Sequence, residues 1–390
     1  MTRRCLQSCA LVLGVMLVVA LGGCTDTAEA DRAAPVSGDG LPRALVEVVP
    51  STTETPATRA IGTAAPHERA RRISLVAGGD ILIHESVWES ARSYAEGEGF
   101  DFVPMFEPVA GFIADADLGI CHLEVPLSAE NERLSSFPRF QAPYQLADAI
   151  AAAGFDGCSF ASNHVLDQGV EGIEATLGHL DRVGLGHAGA ARDPGEAGTI
   201  ATYGVRGIRV AHLSYTYGYN GLRPPPGEDW RSNLIDPSAI LDEASRARAE
   251  GADLVVASLH WGTEYVHAPN QHQRDVAAAI GDSPDIDFVI GHHAHVIQPV
   301  TVVGETWVAY GVGNLLSNML QAERRDGVLL LVHFEAPPGG AFEVAEVEFL
   351  PTQVEIPGHR IVPAPPPSWE RTARHLQAME APLAAVHLED

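Results

Sequence analysis

Apolar residues fall in two rhythms along this chain: short runs rich in β-branched residues, and longer stretches in which apolar positions recur every three or four residues. Ile73 to Ala77 is the first short run and stops at Gly78-Gly79-Asp80. Phe102 to Ala114 has helical spacing, and Asp117 to Cys121 is a second strand ending in His122-Leu123-Glu124. Tyr144 to Ala153 reads as a helix stopped by Gly154, Phe155 to Phe160 as a strand running into Ser162-Asn163-His164, and Val170 to Val183 as a further helix. This recurrence of strand and helix, with polar residues at the strand ends, predicts a mostly parallel sheet that carries its site at the carboxyl edge.

The second half keeps the habit with different spacing. Ile200 to Tyr203 and Arg209 to Ser214 flank Gly-containing turn residues and read as a hairpin. Ala239 to Ala249 is helical, and Asp253 to Ser258 leads into Leu259-His260-Trp261-Gly262. Gln271 to Ile280 is helical, and Phe288-Val289-Ile290 runs straight into Gly291-His292-His293-Ala294-His295. Only β segments follow: Val300 to Val303, Thr306 to Tyr310, Val328 to Phe334 and Phe342 to Phe349, the last two joined by Pro337-Pro338-Gly339-Gly340. The expected fold class is α/β, with two sheets packed face to face and helices outside. Beyond Ile356, a proline-rich stretch from Pro363 to Pro367 precedes a short helical segment, so residues 357–390 read as a C-terminal extension.

Ahead of the first strand the pattern changes. Met1-Thr2-Arg3-Arg4 leads into an apolar run from Leu11 to Leu21, then Gly22-Gly23-Cys24 and polar Thr25-Asp26-Thr27, which is the order of an export signal. The run is shorter than the roughly 20 residues a membrane-spanning helix needs. Leu21-Gly22-Gly23-Cys24 resembles a bacterial lipobox, which implies a lipoprotein signal peptide over residues 1–24, lipidation at Cys24, and an exported protein anchored on the extracytoplasmic side of the membrane. Residues 25–70 are dominated by Ala, Pro, Thr, Gly, Asp and Glu. Such a composition buries too little surface to offset its ordering entropy, so the segment reads as a disordered tether. The globular domain is expected over residues 71–356, large for one core but suited to a layered α/β fold.

Charge narrows the chemistry. The formal net charge is −26, from 51 acidic and 25 basic residues, and every basic residue is Arg because the chain has no lysine. A P-loop lysine, a Schiff-base lysine and a lysine general base are thereby excluded. The acidic balance argues against nucleic acid as a partner. An anionic substrate would need local positive charge, for which bound metal ions are the obvious source. Beyond the signal, the cysteines are Cys121 and Cys158, expected as buried free thiols within strands although export would permit a disulfide.

Five strand ends deliver metal-ligating side chains: Asp80, Glu124, Asn163 with His164, His260, and His293 with His295. Any one alone is more often a cap or a surface group, but five in sequence are not accounted for by chance. Carboxylate, amide and imidazole together suit Mn, Fe or Zn rather than Mg or Ca. The expected cofactor is two divalent metal ions, which together lower the pKa of a bridging water from about 16 to about 7 and clamp both attacking and leaving oxygens. Period-two alternation puts His293 and His295 on one face and His292 on the other, which leaves His292 outside the ligand set. Gly157-Cys158-Ser159-Phe160-Ala161 faintly resembles a nucleophile elbow, but it lacks the final glycine and no helix follows directly.

Seven motifs occur in order: Gly79-Asp80 to His84, His122-Leu123-Glu124, Phe137 to Pro143, Asn163-His164 to Gly169, His260 to Tyr265, Gly291 to Gln298, and Tyr310 to Asn314. In this the chain resembles the capsule synthesis protein CapA family, over about Arg71 to Ile356. The resemblance implies a metallophosphatase-like, calcineurin-type fold, a four-layer αββα sandwich of two mixed β-sheets flanked by helices. It also implies a part in making or anchoring poly-γ-glutamate capsule, with membrane capsule-synthesis proteins as partners, and a catalytic role for His164 in protonating the leaving oxygen. The chain departs from the family pattern at His122, where Asn is usual, at Ala294, where Pro is usual, and at Leu315, where Phe is usual. His122 is expected to support the site or lie at the surface rather than ligate.

Asp167 could orient the His164 imidazole or cap the helix that starts near Gly169. Substrate contact is expected from His84, which could instead support the site from outside, from Arg139 as an anion contact, and from Glu264 and Tyr265 on the loop after His260. Two functions remain. One is an extracytoplasmic metal-dependent hydrolase acting on a phosphoester or a polymer-linked bond. The other is a non-catalytic, metal-bearing scaffold that holds an anionic polymer beside membrane synthases. Retention of both Asn163 and His164 favours catalysis.

Overall fold

The computed structural model describes residues 71–386; the signal, Cys24 and the tether lie outside them. The first apolar run becomes β1 (Arg71–Ile81), buried almost throughout and central in the larger sheet. Then follow α1 (Glu85–Tyr94), α2 (Val103–Ala114), β2 (Leu118–Leu123), α3 (Gln145–Ala152), β3 (Gly157–Ser159), α4 (Gly169–Val183), β4 (Gly186–Ala188) and a short α5 (Pro194–Ala197). The hairpin forms as β5 (Ala201–Val205) and β6 (Ile208–Thr216), and α6 (Pro237–Ala249), β7 (Leu254–His260), α7 (Gln271–Ile280) and β8 (Phe288–His292) continue the alternation. The chain ends in β9 (Val300–Val303), β10 (Thr306–Ala309), β11 (Asn314–Leu316), a short α8 (Ala322–Arg325), β12 (Asp326–Ala336), β13 (Glu343–Glu355), β14 (Arg360–Pro363), α9 (Pro366–Leu376) and β15 (Leu383–Ala385).

The larger sheet runs β14-β13-β12-β1-β2-β3-β4, with β11 beside β1 and β15 beside β13; the smaller runs β5-β6-β7-β8-β10-β9. In β1, Ile73, Leu75 and Ala77 face Val210, Leu254, Val256 and Phe288 of the smaller sheet, whereas Val76 faces the core that includes α1 to α4. In β7, Val255, Ala257 and Leu259 pack with Ile240 of α6 and Val276 of α7. Both faces of these central strands are covered, so their sequences are near-continuous apolar runs rather than alternating ones. Three stacked cores between four layers give the αββα sandwich.

Two expectations change. Cys121 and Cys158 face each other on adjacent parallel strands β2 and β3, with Cα atoms 4.4 Å apart, and form a disulfide rather than two free thiols. The residues beyond Ile356, read as an extension, add β14 and β15 to the edge of the larger sheet, and α9 buries Ala373 and Leu376 in the inter-sheet core.

Candidate metal centre

The carboxyl ends of the parallel strands in both sheets meet at one place. In the larger sheet Asp80, His122 and Ser159 stand in register across β1, β2 and β3; in the smaller, Thr216, His260 and His292 do so across β6, β7 and β8. At the end of β1 the chain leaves β12 and takes up β11, and a Cβ at Gly79 would collide with the carbonyl oxygen of Gly313, so only glycine lets the strands approach here. The Asp80 N–H then donates to that carbonyl at 2.9 Å, which fixes the carboxylate that follows.

Asp80 Oδ2 accepts from the His293 N–H at 3.2 Å and lies 3.0 Å from His295 Nδ1, while Oδ1 lies 3.2 Å from His292 Nδ1. Burial opposes its ionisation, but the hydrogen bonds from His292 and His295 outweigh that and hold its carboxyl below the ordinary carboxylate range. Glu124 is fully buried, and neither carboxylate oxygen has a hydrogen-bond partner; Oε1 lies 3.5 Å from His295 Nε2 and 3.9 Å from His260 Nε2. Burial pushes its carboxyl upward. His260 Nε2 is 2.9 Å from Asn163 Oδ1. Burial holds His260 and His293 in the neutral form, His293 down to about 3, the form in which an imidazole ligates, and His293 Nδ1 is without a hydrogen bond. His295 goes the other way: burial alone would lower it, but Glu124 and Asp80 raise it to about 10, the response of a site built for a cation.

A group that should hold a divalent ion can be tested on its unmet valences. Buried polar groups are nearly always paired, yet Glu124 Oε1 and Oε2 and His293 Nδ1 are buried without partners. Glu124, His293 and His295 offer ligand atoms within 4.8 Å of one another, and Asp80, His122 and His292 form a second such group. The donor set fits a divalent transition ion. Asn314, to which the Tyr310 to Asn314 motif assigns no role, puts Oδ1 3.0 Å from His295 Nδ1, which directs Nε2 toward Glu124.

His292 is left outside the proposed ligand set, yet it lies against the site, with Nδ1 3.2 Å from Asp80 Oδ1. Alternation applies only while the chain is extended, and β8 ends at His292; His293 and His295 have φ of 82° and 54°. His292, still extended in β8, meets Asp80 from its place in the strand; the left-handed backbone after it, costly for non-glycine residues, brings His293 and His295 toward Glu124. His122 does not reach the surface; it is fully buried, stacked on His292 at 4.1 Å between centroids and bonded to His260. Ser159 Oγ is 2.8 Å from His122 Nδ1, so it is engaged rather than poised as a nucleophile.

Of the two readings of Asp167, the orienting one holds: its Oδ2 accepts from His164 Nδ1 at 2.7 Å and from the Phe140 N–H at 2.7 Å, while α4 has no side-chain cap. His164, Asp167, Asn163, Arg139 and Glu264 line one cavity of about 280 Å³, together with the exposed Phe137. His84 packs its ring edge-on against Phe140, as His164 does from its own side, and its Nδ1–H donates to the Leu82 carbonyl; burial lowers it to about 4. Tyr265 lies with Arg324 stacked 3.6 Å from its ring centre, and its centroid is 6.0 Å from that of His295. Two residues from the loop after β6, Tyr217 and Asn220, join the site without any signal in the sequence pattern. The Tyr217 ring lies 4.6 Å from that of His293, and Asn163 Nδ2 donates to Asn220 Oδ1 at 3.3 Å.

Fold and site together define an α/β sandwich protein with a buried carboxylate–imidazole centre at the junction of its two sheets. The chain belongs to the bacterial capsule synthesis protein PGA_cap family, whose model matches residues 74–319. It is 27% identical to the capsule biosynthesis protein CapA of Bacillus anthracis, over 68% of this chain and 65% of that one. It is 32% identical to the PGA biosynthesis protein CapA of Bacillus subtilis, over 53% of this chain and 51% of that one. The match thus spans about half to two thirds of these relatives' length. Among solved structures, a calcineurin-like phosphoesterase from Bacillus subtilis is similar with a TM-score of 0.45 and 13% identity, covering 78% of this chain and 96% of that one. A 5′-nucleotidase precursor from Thermus thermophilus is similar with a TM-score of 0.43 and 14% identity, covering 76% and 55%.

Proposed function

We propose that this chain is a metal-dependent hydrolase of capsule biosynthesis, exported and held at the membrane through lipidated Cys24, that acts on a phosphoester or on a bond in an anionic polymer such as poly-γ-glutamate. The observation that carries the reading is the Glu124 carboxylate, buried without a hydrogen bond against His293 and His295 and beside the His164–Asp167 pair. Asp80, Glu124, Asn163, His260, His293 and His295 would hold two divalent ions of the Mn, Fe or Zn type. Bound ions would activate a water at neutral pH and offset the charge that develops on the substrate.

The chain's own residues supply the rest. Asp167 fixes the His164 tautomer with the proton on Nδ1 when the ring is neutral, and stabilises the imidazolium when it is charged, so Nε2 can deliver a proton to a leaving oxygen. Arg139 supplies a cation at the lip of the cavity, and Phe137 an apolar edge. This local positive charge is what an anionic polymer would meet on a chain of net charge −26.

The test is His164→Asn. Loss of a general acid typically costs 10²–10⁴-fold, about 3–5 kcal/mol of barrier. Turnover should fall on substrates with poor leaving groups and much less on nitrophenyl esters, with metal content unchanged. Full metal content with undiminished turnover on a poor-leaving-group substrate overturns the assignment.

A further inference from the structure

His122 has both ring nitrogens committed inside the core. Nδ1 is 2.8 Å from Ser159 Oγ, Nε2 is 2.9 Å from His260 Nδ1, and Ser159 Oγ is also 3.3 Å from the Cys121 carbonyl oxygen. This chain of bonds can be satisfied in two directions. In one, Ser159 donates to His122, His122 Nε2–H donates to His260 Nδ1, and His260 Nε2–H donates to Asn163 Oδ1, the 2.9 Å contact that consumes two proposed metal ligands. In the other, His260 Nδ1–H donates to His122 Nε2, His122 Nδ1–H donates to Ser159, and Ser159 donates to the Cys121 carbonyl. Every donor then still has an acceptor, but His260 Nε2 and Asn163 Oδ1 present lone pairs.

His122 and His292 are not themselves suited to share an ion, although their nitrogens lie close to Asp80. Their rings stack at 4.1 Å with planes 16° apart, so an ion in the plane of one ring lies outside the plane of the other. Resting on the metal reading above, we propose that His122 is a positioning residue whose hydrogen-bond relay, Ser159–His122–His260, reverses direction when a divalent ion binds. The reversal leaves His260 Nε2 and Asn163 Oδ1 free to ligate. Both arrangements hold the same three protons, one on each ring and one on Ser159, so the relay stays neutral: the proton displaced from His260 Nε2 passes to solvent as the ion enters, and solvent returns one to Ser159.

Zinc is the probe, with the whole chain labelled with ¹⁵N-histidine and the His260 signals assigned from His260→Asn. In metal-free protein His260 should carry its proton on Nε2, and in zinc-loaded protein on Nδ1, with His122 shifting in step. His122→Phe keeps a ring on His292 and removes both nitrogens; loss of such an outer partner typically costs 10–100-fold in metal affinity. His122→Gln, whose amide oxygen can accept from His260, should restore most of that loss. A His260 proton on the same nitrogen in both states, or unchanged zinc affinity in His122→Phe, overturns the relay. The tautomer measurement uses wild-type protein and so decides the matter even if a variant fails to fold. Wild-type protein that binds no zinc, manganese or iron overturns the metal reading itself, a result separate from a wild type that binds while its His260 tautomer stays fixed.

Discussion

Glu124→Gln should separate the cost of burying this side chain from its use. In metal-free protein its two oxygens are enclosed without a hydrogen bond, with His295 Nε2 3.5 Å from Oε1, and an unsatisfied buried polar group costs about 1–3 kcal/mol, more when charged. The amide keeps the size and removes the buried charge but also the charge that faces His295 at 3.5 Å, two opposed effects, so the metal-free variant should differ little in stability from metal-free wild type. The loaded protein should instead be destabilised. An ion present at a hundred times its Kd adds about 2.7 kcal/mol to the native state. A domain of about 300 residues unfolds with an entropy on the order of 0.6 kcal/mol/K, so each ion is worth about 4 °C in Tm and two about 9 °C. Calorimetry with and without chelator, alongside elemental analysis, reads both effects. Chelation should lower the wild-type Tm by about that amount, and the difference between loaded and chelated samples should shrink or vanish in the variant. Wild type whose Tm is unchanged by verified metal removal refutes the two-ion reasoning. A variant destabilised equally with and without metal would make Glu124 a packing residue.

Three further outcomes follow from other parts of the molecule. The Cys121–Cys158 bond spans 37 residues, so Cys158→Ala should cost about 4 kcal/mol by loop-closure entropy, read from denaturant midpoints; a variant midpoint equal to that of wild type would show that the bond adds nothing. His212 is buried and held down to about 3 from its ordinary 6.5, chiefly by desolvation, so the unfolded chain takes up a proton that the folded one refuses. Its stabilising effect is present above about pH 6.5 and lost as pH falls toward 3; His212→Gln should flatten the stability–pH slope by about one proton in that window, and an unaltered slope would remove the assignment. Cys24→Ser should move the protein from membrane to soluble fraction with its melting curve intact, and a variant that stays membrane-bound after processing would refute lipid anchoring.

Much of the architecture is legible because buried central strands and amphipathic helices write different periods into the sequence. The helix Gln271–Ile280 and strand Val300–Val303 appear with the bounds their apolar pattern predicts. β11 and β4 escape the pattern, since three residues are too few to carry a period. β14 is hidden behind prolines that read as a break, yet it pairs with β13 from Thr352 to Glu355. In the site, the residues that strand ends deliver directly can be read from the sequence. Those placed by an irregular turn cannot, because Tyr217 and Asn220 follow a strand whose end shows no metal-ligating pattern, and Asn220 owes its position to a φ of 50°.

What His292 and His122 do beside the ligands is invisible to strand periodicity for a common reason. Sequence periodicity ranks residues by the face they occupy within one sheet, whereas the proposed centre is divided between two. Asp80, Glu124 and Asn163 come from the larger sheet, and His260, His293 and His295 from the smaller. Such a ligand set has the right geometry only if the carboxyl edges of the two sheets are held at a fixed distance and register. Apolar packing between Leu75, Ile120, Val256 and Ile290 brings the sheets together but has little directional preference. Directional bonds across the junction are supplied by His292 to Asp80 and by His122 to His260. His122 and His292, outside the proposed ligand set, thus add to the Asn163–His260 contact and the His293 N–H bond to Asp80 in tying the halves of the site to each other, and changing either should disturb the metal centre while leaving each sheet's own ladder intact.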